Sequence, residues 1–138
     1  MRQNPASVFI PVNTSDSGSK HWILMQILVA HNRLIVYDSQ GAADSHRSLA
    51  ARVAEWWGAD TTEGVPEIGA VPCIKQKDEH NCGPMACLNL RRLMLKRRRP
   101  RALRDWGYDA GQMVYWRWHI INELAKDTLM MAETRAEK

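Results

Sequence analysis

Gln76-Lys77-Asp78-Glu79-His80-Asn81-Cys82-Gly83-Pro84 is the stretch on which the fold turns. Proline is favoured in the first turn of a helix, so Pro84 predicts that one begins near Cys82-Gly83. The unpaired N–H groups and the positive dipole end of such a start favour an anion. A thiol placed there is a candidate nucleophile, because thiolate is the reactive form. Gly83 leaves the backbone open to an approaching substrate. Gln76 stands six residues upstream at the end of an apolar run, where its amide could donate to a developing oxyanion. A side-chain donor of that kind contributes about 10²–10³ in rate.

Working outward from there, residues 22–29 and 33–37 are rich in β-formers and are separated by Ala30-His31-Asn32. They read as an antiparallel hairpin. His21 precedes the first strand and Asp38 follows the second, so the ladder brings the two ends together. A carboxylate beside an imidazole fixes its tautomer and stabilises its cation. The chain therefore carries, in the order His21, Asp38, Gln76, Cys82, the groups of a thiol protease. Taken singly each has a plain alternative: a loop histidine, a turn aspartate, a loop glutamine, a buried cysteine. His80 competes as the base, but it sits on the loop without an obvious orienting carboxylate. Cys73, within an apolar strand, and Cys87, on the apolar stripe of the helix, read as buried structural thiols. A zinc site from Cys73, His80, Cys82 and Cys87 lacks a CxxC knuckle.

At 138 residues and 45% hydrophobic content, with six Trp, the chain suits one folded domain rather than a disordered one. No apolar run approaches the roughly 20 residues that span a bilayer. The first residues lack the apolar core of a signal peptide. Three cysteines do not make a disulfide framework and favour a reducing compartment, so an intracellular site, nucleus or cytoplasm, is expected. Much of the net charge of +4 comes from Lys96-Arg97-Arg98-Arg99-Pro100-Arg101. The plain reading is a solvated helix end, and the sharper one a nuclear-localisation or nucleic-acid patch. Without interleaved aromatics, nucleic acid is not the expected partner.

Elsewhere, residues 7–12 predict a strand disturbed by Pro11, and residues 13–20 a polar loop. Asp44 or Ser45 can cap a helix to about Trp57, with Leu49, Val53, Trp56 and Trp57 on one face. Residues 60–69 read as loop and 70–75 as a strand. The helix from Cys82 has an apolar stripe of Ala86, Cys87, Leu90, Leu93 and Met94 and ends at Pro100. A last helix over about 112–130 turns Val114, Trp118, Ile121 and Leu124 or Ala125 inward. The class is α+β, a small antiparallel or mixed sheet packed by helices.

Phe9-Ile10-Pro11-Val12-Asn13, His21-Trp22, Val36-Tyr37-Asp38-Ser39 and Gln76 through Cys82-Gly83 together resemble the ubiquitin-like-specific (SUMO-specific) cysteine proteases, in the clan of the adenovirus protease. The helix from Arg117 to Glu123-Leu124 also looks like the family's closing helix, so the resemblance covers about residues 8–126. It implies a papain-like fold of the ubiquitin-like-protease type. It also implies cleavage after the C-terminal Gly-Gly of a modifier such as SUMO, to mature it or release it from a lysine. His21, Asp38 and Cys82 would be the triad and Gln76 the oxyanion donor. Trp22 and Gly83 would line the substrate's path. The partners would be the modifier and its conjugates, with no membrane, cofactor or metal. Two departures stand out. Asn81 replaces the usual Asp before the nucleophile, and the chain opens almost at the strand leading to His21, without the family's mainly helical N-terminal part. An inactive or truncated relic serving as a binding module is the alternative. A clan-related acyltransferase and a basic nucleic-acid-binding domain stand behind it.

Overall fold

The computed structural model describes residues 6–14, 20–94, 107–108 and 110–126. Strand β2 (Trp22–Leu28) is buried on both faces along nearly its whole length. It pairs antiparallel with β1 (Ser7–Asn13) on one side and β3 (Arg33–Tyr37) on the other. Pro11 is tolerated because β1 lies at the edge of the four-stranded sheet, where a missing N–H breaks no inner ladder. The β2–β3 connection turns through Asn32, whose left-handed φ of 44° suits a short amide side chain.

Alternate residues of β2 serve two cores. Ile23, Met25 and Ile27, with Leu34 and Val36, meet Ala50 and Ala54 of helix α1 (Arg47–Ala59). Leu24, Ile35 and Tyr37 meet Cys73 and Ala86 on the opposite face, which helix α2 (Cys82–Met94) covers. Gln26, the polar break in this strand, is buried but satisfied. Its carbonyl accepts from the Tyr37 hydroxyl at 2.7 Å, and its amide donates to Ser7 Oγ at 3.0 Å.

Several elements differ from the sequence reading. Within the 60–69 stretch read as loop, β4 (Glu67–Ala70) begins, and it runs parallel to β3. It is short, lies at an edge and lacks alternation, so periodicity could not mark it. The expected strand over 70–75 is not continuous. Only β5 (Lys75–Gln76) forms, in a two-residue parallel ladder with β6 (Gly107–Tyr108). Neither Asp44 nor Ser45 caps α1; a 3₁₀ turn, Ala43–His46, leads into it instead. Trp56 points outward while Ala50 and Ala54 are buried.

Helix α3 (Ala110–Lys126) shows the largest difference. Val114, Trp118, Ile121, Leu124 and Ala125, expected inward, are exposed. The inward face is Met113, Trp116, His119, Ile120 and Glu123. Hydropathy misread it because two of those residues are polar. Glu123 accepts from Arg91 Nε of α2 at 2.9 and 3.1 Å, and both side chains are buried. The stripe of α2 is rotated likewise: Met85, Ala86, Leu88, Asn89 and Arg91 are buried, whereas Cys87 and Met94 are exposed. The expected end of α2 at Pro100, the basic run and the end of the last helix lie outside the described residues.

Removing one partner of a buried ion pair strands the other charge. Glu123→Ala should therefore lower unfolding stability by about 3–5 kcal/mol in urea titrations. The double change Arg91→Met/Glu123→Leu should recover much of that loss.

Candidate active site

The β2–β3 ladder, whose last pair toward the site is Leu24 with Tyr37, brings the residues beyond it together. His21 Nε2 lies 2.7 Å from Asp38 Oδ1. The His21 backbone is tied down by the end of β1: its carbonyl accepts from the Thr14 N–H at 2.8 Å and from the Thr14 hydroxyl at 3.2 Å. Asp38 opens a tight turn in which the Gly41 N–H donates to its carbonyl at 3.0 Å. Gly41 has a φ of 80°, a conformation that glycine adopts without a Cβ penalty. The turn also aims the Gln40 N–H at Asp38 Oδ1, at 2.8 Å.

The other carboxylate oxygen has a partner that the sequence did not suggest. His46 Nε2, from the 3₁₀ turn before α1, lies 3.0 Å from Asp38 Oδ2. The two imidazoles stack with centroids 6.0 Å apart and planes 26° apart. An ionised carboxylate only accepts, so both Nε2 atoms carry the hydrogen. That tautomer leaves His21 Nδ1 as a bare acceptor, and this atom is buried without a partner among the described residues. The ligand atoms of His21, Asp38 and His46 lie within 4.8 Å of one another and could together hold a cation. Imidazole N–H groups already occupy both carboxylate oxygens, so hydrogen bonding alone accounts for the cluster.

Burial works to raise the Asp38 pKa. The hydrogen bonds from His21 and the Gln40 N–H, the electrostatic attraction of the His21 ring and the bond from His46 outweigh it and hold the carboxyl below its ordinary value. Cys73 lies nearby, and burial followed by the negative charge of Asp38 pushes its thiol up to about 11.

Cys82 is the first residue of α2 and is nearly buried. Beside it, a Cβ on Gly83 would stand 3.6 Å from Trp22 Cδ1, so the helix start packs against the residue following His21. Trp22 itself is 41% exposed and forms part of the surface there. Gln76 is fixed from both sides. Its N–H donates to the Ser39 carbonyl at 2.9 Å, its side-chain oxygen accepts from the Ser39 hydroxyl, and its amide donates to the Asp78 carbonyl. That last bond takes one amide hydrogen and leaves a second for another acceptor. His80 is exposed, and its backbone N–H donates to Asp78 Oδ1.

Asn81 has a physical account in its surroundings. Its amide donates to Asp78 Oδ2 at 2.6 Å, and its oxygen accepts from Arg117 Nε and Nη2 at 3.0 and 2.7 Å. An amide can donate to one side and accept from the other, which an ionised carboxylate cannot, and an aspartate here would face Asp78 with like charge. The bond from Asn81 is the largest influence on Asp78 and holds that carboxyl below its ordinary value. Arg117, on α3, thus clamps the residue preceding Cys82. In sequence Arg117 reads only as the start of the closing helix and His46 does not stand out, since the contact of each with the site spans a long chain separation or a turn.

Residues 3–106 match the Ulp1 protease family, C-terminal catalytic domain. The chain belongs to the Ulp1 protease family. Among solved structures, the yeast Ulp1 protease domain in complex with Smt3, the yeast orthologue of SUMO, is similar with a TM-score of 0.68 and 17% identity, over 91% of this chain and 54% of that one. The SUMO protease Ulp1 with its catalytic cysteine oxidised to a sulfenic acid gives a TM-score of 0.67 and 17% identity, over 91% and 55%. The Chlamydia abortus effector protein ChlaDUB gives 0.51 and 18%, over 93% and 61%. At these identities the likeness is one of fold, and the chain spans about half the length of the Ulp1 domains it matches. No curated protein sequence matches the chain. The α+β class and the ubiquitin-like-protease fold expected from the sequence are those of this Ulp1 family member.

Two outcomes follow from these environments. Cys73 should resist iodoacetamide at pH 8 in the folded protein and react only after unfolding, as peptide mass spectrometry would read. Asp38, lowered on folding, contributes stability that is fully present above its unfolded value of about 3.9 and is lost as pH falls through the lower folded value. The stability gap between the wild type and Asp38→Asn, from urea unfolding at a series of pH values, should therefore narrow below about pH 4.

Proposed function

We propose that the chain is a cysteine peptidase and isopeptidase that cleaves after the C-terminal Gly-Gly of a ubiquitin-like modifier. The observation that carries this reading is the His21–Asp38 pair at 2.7 Å with His21 Nδ1 buried and unpartnered among the described residues. A buried polar atom without a partner costs about 1–3 kcal/mol. A nitrogen kept bare despite that cost suits a base awaiting a proton. The start of α2, bearing Cys82, packs against the neighbouring Trp22. Membership of the Ulp1 family supports the same assignment.

In this reading Cys82 gives its proton to His21 Nδ1, and the thiolate attacks the carbonyl carbon of the last glycine. The oxyanion takes hydrogen bonds from the Cys82 N–H and the second amide hydrogen of Gln76. The His21 imidazolium, stabilised by Asp38, then protonates the departing amine. A thioester remains, and water activated by His21 hydrolyses it to restore the thiol. Trp22 and Gly83 flank the tail, the exposed indole lying beside the helix start that bears Cys82. The modifier and its conjugates are the partners, and an intracellular site of action, nucleus or cytoplasm, goes with this reading.

Incubation with a panel of ubiquitin-like proteins ending in a Gly-Gly vinyl electrophile tests this. One modifier should form a covalent adduct at Cys82. Cys82→Ala should abolish it, while Cys73→Ala and Cys87→Ala retain it. His21→Ala should cost orders of magnitude in rate, and Asp38→Asn about 10⁴ through the wrong tautomer. His80→Ala should be mild. Labelling that persists without Cys82, or a severe His80 effect beside a neutral His21, would overturn the assignment.

A further inference from the structure

We propose that His46 is a positioning residue for the His21–Asp38 pair, a role that rests on the cysteine-protease reading above. Asp38 Oδ1 receives both His21 Nε2 and the Gln40 N–H, whereas Oδ2 receives only His46 Nε2 among the described residues. The Asp38 side chain is wholly buried, and that of His46 is 12% exposed. The terminal torsion of an aspartate is broad and roughly two-fold. Contacts to one oxygen leave the carboxylate able to swing about it. A donor on the other oxygen fixes its plane, and with it the direction in which Oδ1 receives His21. Without His46, Oδ2 would lack that donor in a buried site.

Nothing in the local structure of α1 asks for histidine at this position. His46 occupies the N-cap place yet makes no side-chain cap bond. Its ring instead turns back and stacks on His21. That stacking and the bond to Asp38 together set the His21 plane from two directions. The bond needs only a neutral imidazole bearing hydrogen on Nε2.

The test compares His46→Ala, His46→Phe and His46→Gln in the full chain. Phe retains the ring but removes the donor; Gln offers an amide N–H at a similar reach. The first readout is the rate of adduct formation with SUMO bearing a vinyl electrophile at its C-terminal Gly-Gly, resolved into saturation constant and maximal rate. Ala and Phe should lower the maximal rate about 10–100-fold, the range typical of outer-shell partners, with the saturation constant unchanged. Gln should restore most of it. The second readout is the low-field proton NMR signal of the His21–Asp38 bond. It should be broadened or shifted in Phe and retained in Gln. A Phe variant with wild-type rate and signal would overturn the proposal. So would three variants equally impaired in step with a loss of thermal stability. A wild type that forms no adduct with SUMO or with any other modifier of the panel would count against the protease reading, and the NMR comparison would then decide the role of His46 by itself.

Discussion

His21 and Asp38 meet because the β2–β3 ladder is in the register that pairs Leu24 with Tyr37. A slip of one residue would send the side chains of a strand to the opposite face. Here the slip would exchange the α1-facing set Ile23, Met25 and Ile27 with the α2-facing set. Both faces of β2 are buried, so packing alone would tolerate such an exchange better than in a one-sided sheet. The buried polar residues discriminate more sharply. Gln26 must meet the Tyr37 hydroxyl, and Asp38 must meet the His21 imidazole N–H, or each loses one of its buried partners.

The rest of the site is assembled on that ladder. β1 fastens the His21 carbonyl through Thr14, and Ser39, next to Asp38, receives β5 and so fixes Gln76. Helix α2 lies across the same face of the sheet and presents Cys82 at its first turn, where Gly83 neighbours the Trp22 indole. Helix α3 closes the arrangement from outside. Arg117 holds Asn81, and Glu123 holds Arg91 three turns further along α2. The Arg117–Asn81 contact adjoins Cys82 in the chain, whereas the Arg91–Glu123 pair holds the far part of α2 to α3.

Asn81 illustrates how a departure from a family pattern can be locally consistent. The family's usual aspartate could accept from Arg117 but could not donate to Asp78. In this chain Asp78 accepts from the Asn81 side chain and from the backbone N–H groups of His80 and Asn81. The loop before Cys82 is thereby built around one carboxylate, with the amide joining it to α3.

The hairpin, the helix start at Cys82 and the His21–Asp38 pairing were legible in sequence because each depends on neighbours in the chain or on a simple antiparallel return. Strand propensity on either side of Ala30-His31-Asn32 sufficed for the first, and Gly83-Pro84 for the second. Tertiary structure alone decided the rest. β4 forms only because α1 returns the chain parallel to β3. The inward faces of α2 and α3 contain Arg91, His119 and Glu123, polar residues that hydropathy assigns to solvent but that bury together by pairing. His46 reads in sequence as an ordinary residue before a helix. It becomes part of the site because the turn after Asp38 folds back over it, bringing a donor to a buried oxygen that needs one.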